Sequence, residues 1–126
     1  MAVPVAVIVG ASRDPSKYGN ISLRAHRDAG YRVIGVNPSG GKIEGLPVAR
    51  SLDEVRDRPI QRVSLYVPPE VGVGLLDQIA QLQPREVWLN PGAASRVLLV
   101  RAQELGLPIV EGCSIVDVKL RPVRDG

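Results

Sequence analysis

The sequence has one cysteine, one histidine and no phenylalanine among its 126 residues. A single cysteine cannot close an internal disulfide, and with one histidine beside it neither a cysteine-rich nor a two-histidine metal site can be built. Three tyrosines and one tryptophan are too few aromatic faces for a base-stacking platform of single-stranded nucleic acid. A surplus of one charge is nearly missing as well. Thirteen Arg and three Lys against 13 acids give a net charge of +3 without a basic block, whereas nucleic-acid binders carry a clustered stripe. No apolar run nears the ~18–20 residues of a membrane span. The segment Met1 to Gly10 has no basic start and its apolar stretch leads into Gly-Ala-Ser-Arg. It is read as a strand and not a signal peptide, and the protein is expected in the cytoplasm.

What is there matches an ordinary globular chain: 44% apolar and 23% charged residues, which excludes disorder, collagen and coiled coil. The length suits one domain, residues 1–126. Five β-type runs, Val5 to Val9, Tyr31 to Val36, Val63 to Val67, Val87 to Leu89 and Pro108 to Val110, alternate with helical patterns. Strands alternating with helices imply a parallel sheet. The apolar first run asks for cover on both faces. The expectation is a three-layer, doubly wound α/β domain, Rossmann-like, with a five-stranded parallel sheet in the order 3-2-1-4-5.

Helix punctuation supports the alternation. Asn20 is expected to cap the first helix, Ile21, Ala25 and Ala29 to share a face, and Gly30 to end it. Ser51-Leu-Asp-Glu54 has the spacing of a capping box. Pro69 and Glu70 suit a first helical turn, followed by an apolar stripe of Leu75, Leu76, Ile79 and Leu82. A further stripe, Leu98, Ala102 and Leu105, stops at Gly106. Ligands of such a sheet bind beyond the carboxyl ends of the strands, so function is sought in those loops.

The loop after the first strand, Gly10-Ala-Ser-Arg-Asp-Pro-Ser-Lys-Tyr-Gly19, ends at a helix N-terminus. Free amides and the helix dipole there favour phosphate, and Arg13 or Lys17 can add a charge-assisted bond. A G-x-G-x-x-G fingerprint would need glycine where Ser12 and Pro15 stand, and no acid follows the second strand in Gly35-Val-Asn-Pro-Ser-Gly-Gly-Lys42, which demotes NAD. Lys42 would suit a ribose phosphate, as in NADP or coenzyme A (CoA). Val67-Pro68-Pro69 forms a rigid apolar ledge fit for an adenine ring. In Trp88-Leu-Asn-Pro-Gly92, Asn90 offers an amide and Gly92 permits close backbone approach.

Val9-Gly-Ala-Ser-Arg-Asp-Pro-Ser-Lys-Tyr-Gly19, Val36-Asn-Pro38, Gly45-Leu-Pro-Val48, Val67-Pro-Pro69, Trp88-Leu-Asn-Pro-Gly92 and Gly112-Cys-Ser-Ile115 occur in that order. Together they resemble the small stand-alone CoA-binding proteins, similar to the CoA-binding domain of succinyl-CoA synthetase α subunits and ADP-forming acyl-CoA synthetases. The resemblance covers nearly the whole chain. It implies that Gly10, Ser12, Arg13, Lys17, Tyr18 and Gly19 surround the phosphates of CoA. It further implies that Val36, Asn37 and Pro38, with Val67 and Pro68, line the adenosine side, and that Asn90, Pro91 and Gly92 lie toward the pantetheine arm. The family often carries Gln where this chain has Asn90, a side chain shorter by a methylene.

The synthetases transfer phosphate through a histidine on a further domain, which this length does not hold. His26 falls mid-helix and is expected at the surface or half-buried; no Ser-His-Asp set, loop carboxylate pair or metal cluster is visible, so no catalytic residue is assigned. Cys113 is expected to be buried and inert, and Trp88 to belong to the core. The expectation is therefore a binding module for CoA or an acyl-CoA, with an NADP-binding oxidoreductase or redox sensor as the alternative. Its partner would be a small molecule, with no nucleic acid and no membrane.

Overall fold

The computed structural model describes residues 3–123, so Met1, Ala2 and the last three residues of the expected 1–126 unit lie outside the described residues. The first half contains β1 (Val5–Val9), α1 (Tyr18–Asp28), β2 (Arg32–Val36), β3 (Gly41–Ile43), β4 (Leu46–Ala49) and a 3-10 turn at Leu52–Val55. The second contains β5 (Arg62–Leu65), α2 (Pro69–Val73), α3 (Leu76–Leu82), β6 (Glu86–Leu89), α4 (Arg96–Glu104), β7 (Ile109–Glu111) and α5 (Ser114–Leu120).

Side chains of a strand alternate between its faces. Val5, Val7 and Val9 enter one apolar layer with Ile34, Val63, Leu65 and Leu98, while Ala6 and Ile8 enter a second with Leu23 and Val33. An all-apolar β1 is thus covered on both sides, as the three-layer expectation requires. The second layer also carries charge. The buried Arg62 guanidinium lies 5.1 Å from the Tyr31 ring centre and 5.0 Å from that of Trp88. It bonds Glu86 and Asp117 at 3.0 Å each, tying α5 to the sheet.

The fold class is the expected α/β one, with corrections in its details. The sheet has seven strands in the order β3-β4-β2-β1-β5-β6-β7, two more than expected. The additional hairpin comes from Gly41–Ile43 and Leu46–Ala49, and β4 pairs with β2 in parallel at Gly35↔Val48 and Val36↔Ala49. Because β4 takes the place outside β2, the run at Val63 crosses back and pairs with the free side of β1, Val7 opposite Val63. Counted over the parallel strands alone the order is the doubly wound 3-2-1-4-5-6, but β4 and not the Val63 run is its third member. The switch point falls between β1 and β5.

Local punctuation divides in the same way. Gly30 (φ +100°) and Gly106 (φ +67°) end α1 and α4 as expected, and Pro69 opens α2. Asn20 caps nothing: Lys17 is the N-cap of α1, and the buried Asn20 side chain donates to the Ser12 carbonyl and accepts from Arg24. Ser51 makes no capping bond, and Glu54 accepts from the Arg50 amide. His26 is fully buried, not half-exposed, since α1 turns it under Tyr31 with its ring 5.4 Å away. Its Nδ1–H donates to the Ser22 carbonyl at 2.9 Å, and burial pulls its pKa down to about 4. Trp88 is core, as expected.

Candidate functional site

At the switch point two cavities adjoin at the carboxyl ends of β1 and β5, with Gly10 and Val67 lining both; these cavities are the two chambers of the candidate crevice. The larger, about 570 Å³, runs along the β1–α1 loop, past Ser12, Lys17, Tyr18 and Gly19, to Pro68, Pro91 and Gly92. The smaller, about 240 Å³, lies between Val36, Asn37 and Pro38 on one side and Val67 and Val71 on the other, with Leu52 and Leu75 adding apolar wall. Twelve of the fifteen residues singled out in the sequence line one chamber or the other: Gly10, Ser12, Lys17, Tyr18, Gly19, Pro91 and Gly92 by the loops, and Val36, Asn37, Pro38, Val67 and Pro68 by the strand ends. A larger cavity of about 810 Å³ lies at the opposite, amino edge of the sheet beside Tyr31, Pro59 and Arg85. It has neither a glycine loop nor a helix start.

The β1–α1 loop is held in shape by its own atoms. Gly10 has φ +90°, and a Cβ there would stand 2.5 Å from the Tyr66 carbonyl oxygen. A Cβ on Gly19 would stand 2.0 Å from the Gly10 carbonyl oxygen, so only glycines let α1 start against the end of β1. Asp14 accepts from the Ser16 amide and hydroxyl at 2.9 and 2.7 Å, which holds its carboxyl below the usual range. α1 then begins with no acid in its first turn. The Tyr18 and Gly19 amides have no acceptor among the described residues, and the helix dipole adds partial positive charge at the same place. Amides and Lys17 together make an anion cradle.

Three of the fifteen residues stand elsewhere. The Arg13 guanidinium turns away from the cradle and donates to the Ser39 hydroxyl at 2.6 Å and the Gly40 carbonyl at 2.7 Å. Lys42 is exposed on β3, where it pairs with Pro47 and lines neither chamber. The Asn90 side chain is buried and saturated: Nδ2 donates to the Ser64 hydroxyl at 2.8 Å and the Leu65 carbonyl at 2.9 Å, and Oδ1 accepts from the Ser114 amide at 2.9 Å. Its task is to clamp β5, β6 and the start of α5. Asn37 is also bonded within the protein, to the Ala11 carbonyl and to Ser39, but its position still lines the smaller chamber.

Tyr66, Arg50, Ser51 and Gln78 line the chambers without having been singled out. Tyr66 was legible as a strand end; its hydroxyl lies 2.8 Å from that of Ser114, and burial raises its pKa. The other three carry no signal in sequence, because they reach the chamber from β4's end and from α3. Cys113 is half-buried and not fully buried as expected, and it lies outside both chambers. Among the described residues, no group of three His, Cys, Asp or Glu could hold a metal, and no helix is long and apolar enough to cross a membrane.

A profile described as CoA binding domain matches residues 5–119. A solved conserved hypothetical protein from Pyrococcus furiosus has a TM-score of 0.78 at 32% identity, over 92% of this chain and 99% of its own. A Thermus thermophilus structure has a TM-score of 0.84 at 29% identity, over 94% and 90%. The dinucleotide forming acetyl-coenzyme A synthetase 1 of Ca. Korarchaeum cryptofilum, solved with phosphate and ADP, shares the fold, with a TM-score of 0.69 at 24% identity over 84% of this chain and 25% of the synthetase. The profile match runs from the first residue of β1 into α5, through both chambers of the crevice, and the chain belongs to the CoA-binding domain family.

Proposed function

We propose that the protein is a binding module for CoA or an acyl-CoA, seated in the two-chambered crevice at the switch point. The pyrophosphate sits on the Tyr18 and Gly19 amides with Lys17 beside it. The adenosine enters the smaller chamber between Val36–Pro38 and Val67–Pro68, and the pantetheine arm follows the larger chamber toward Pro91 and Gly92. Bound CoA would supply a thiol that carries an acyl group; the chain's own residues bind and orient it, and no reaction is assigned to them.

The observation that carries this reading is the junction of the chambers at Gly10 and Val67, beside unpartnered helix amides. An apolar slot on one side, an anion cradle in the middle and a longer channel on the other match the sequence of groups along CoA. The test is thermal unfolding with CoA, acetyl-CoA, NAD and NADP in parallel. A ligand at ~100 times its Kd adds ~2.7 kcal/mol, on the order of 10 °C for a chain of this size. A rise with CoA and not with the dinucleotides supports the reading. A rise with NADP alone would replace it by a redox module.

A further inference from the structure

We infer that Arg50, at the exit of β4, is the residue that recognises a phosphate on the ribose of the bound nucleotide, and so selects CoA over its dephospho form. The inference rests on the CoA reading above and adds a specificity determinant to it.

The smaller chamber is lined mostly by apolar residues, and its polar groups are Asn37, Arg50, Ser51 and Gln78. Asn37 is occupied by Ala11 and Ser39. Arg50 is the cation of this chamber, and its guanidinium makes no hydrogen bond or ion pair among the described residues; its backbone amide alone engages an acid, donating to Glu54 at 3.0 Å. That bond fixes the backbone, while the guanidinium itself stands in no ion pair among the described residues.

The direction of the side chain is set by the turn between β2 and β3. A Cβ built on Gly40 would lie 3.0 Å from Arg50 Cγ and 3.1 Å from its Nε. Arg50 thus lies along the bare backbone of Gly40, in the turn that begins with the chamber residues Asn37 and Pro38. The other cations near this turn do not line the chamber. Arg13 is bonded to Ser39 and Gly40, and Lys42 lies on the exposed outer strand. A planar fork with free donors at the mouth of an adenosine slot matches a phosphate monoester, which guanidinium binds in bidentate fashion.

The shared chemistry is a phosphate ester on an adenosine ribose, at the 3′ position in CoA and the 2′ position in NADP; the family favours the 3′ ester. The test is calorimetric titration of wild type, Arg50→Gln and Lys42→Gln with CoA, dephospho-CoA, NADP and NAD. Expected is a wild-type preference for CoA over dephospho-CoA of about tenfold, or about 1.4 kcal/mol. That preference should fall below about twofold in Arg50→Gln through loss of CoA affinity alone, and persist in Lys42→Gln. Equal weakening of CoA and dephospho-CoA by Arg50→Gln, or an unchanged preference, would overturn the inference while leaving the CoA reading standing. An Arg50-dependent preference confined to the NADP and NAD pair would overturn the 3′ assignment. Wild type binding neither CoA nor dephospho-CoA would remove the reading on which the inference rests.

Discussion

Gly19 and Gly10 are in backbone contact: α1 begins so close to the end of β1 that a methyl group on Gly19 would stand 2.0 Å from the Gly10 carbonyl oxygen. The free amides at the start of α1 and the wall shared by the two chambers both depend on this approach, so stability and CoA affinity are expected to change together.

Gly19→Ala must therefore push α1 outward. Overpacking of this kind costs about 1–3 kcal/mol, and the displaced amides lose their convergence on an anion. The expected outcome is a lower urea midpoint together with at least a tenfold loss of CoA affinity in calorimetry. A variant of normal affinity would show that the helix start is not the phosphate seat.

Lys17 and Arg13 are predicted to behave differently. Lys17 lines the larger chamber, and Lys17→Glu reverses a charge beside the proposed phosphate seat, so CoA affinity should fall tenfold or more and the loss should shrink at high salt. Arg13 braces the β2–β3 turn. Arg13→Ala should lower stability by about 1 kcal/mol and reach CoA only through that turn, with a loss below about threefold. Calorimetry at two ionic strengths separates the pair.

Asn90 joins Ser64, Leu65 and Ser114 across three elements. Asn90→Ala leaves buried donors and acceptors unpaired, at about 1–3 kcal/mol for each group stranded. The prediction is a loss of about 2–4 kcal/mol in urea unfolding, with CoA affinity of the folded protein within about threefold of wild type. A large affinity loss at unchanged stability would return Asn90 to the ligand.

His26 makes stability depend on mildly acidic pH. Burial, reinforced by the charge of Arg62 and opposed by the Ser22 carbonyl, lowers its pKa from 6.5 to about 4. The unfolded chain takes up the proton first as pH falls, so stability is full above the unfolded value and is lost between about pH 6.5 and 4. Linkage gives a loss of about 2 kcal/mol from pH 7 to pH 5. Asp117, held below its ordinary pKa by Arg121 and Arg62 in spite of its burial, adds loss only at lower pH. Urea midpoints at pH 7 and 5 for wild type and His26→Leu test this: the wild-type difference should mostly vanish in the variant.

The apolar β1, the glycines at 10 and 19, and the prolines after β5 were legible because strand periodicity, close approach and fixed φ are local properties. The β3–β4 hairpin was not, since its strands are three and four residues long and Pro47 within β4 argues against a strand. His26 stands between Ala25 and Arg27, and only the arrival of Tyr31 and α5 over α1 buries it. Arg13, Lys42 and Asn90 are candidates by chemical type and position in the chain. Whether such a group faces a ligand or the protein is decided by partners 24–27 residues away for Arg13 and Asn90, and sequence spacing does not encode them. Arg50 gives no signal for the converse reason, as β4, the strand that ends just before it, is not legible in the sequence.

The measurement that tests the central claim most directly is a CoA titration of isotope-labelled protein followed by amide NMR. Binding in the crevice predicts the largest shifts at Gly10, Ser12, Tyr18 and Gly19, at Val36 and Asn37, and at Val67 and Gly92, with Arg32 and Arg85 at the amino edge unmoved. Shifts centred on that amino-edge cavity, or none at saturating CoA, would contradict the account.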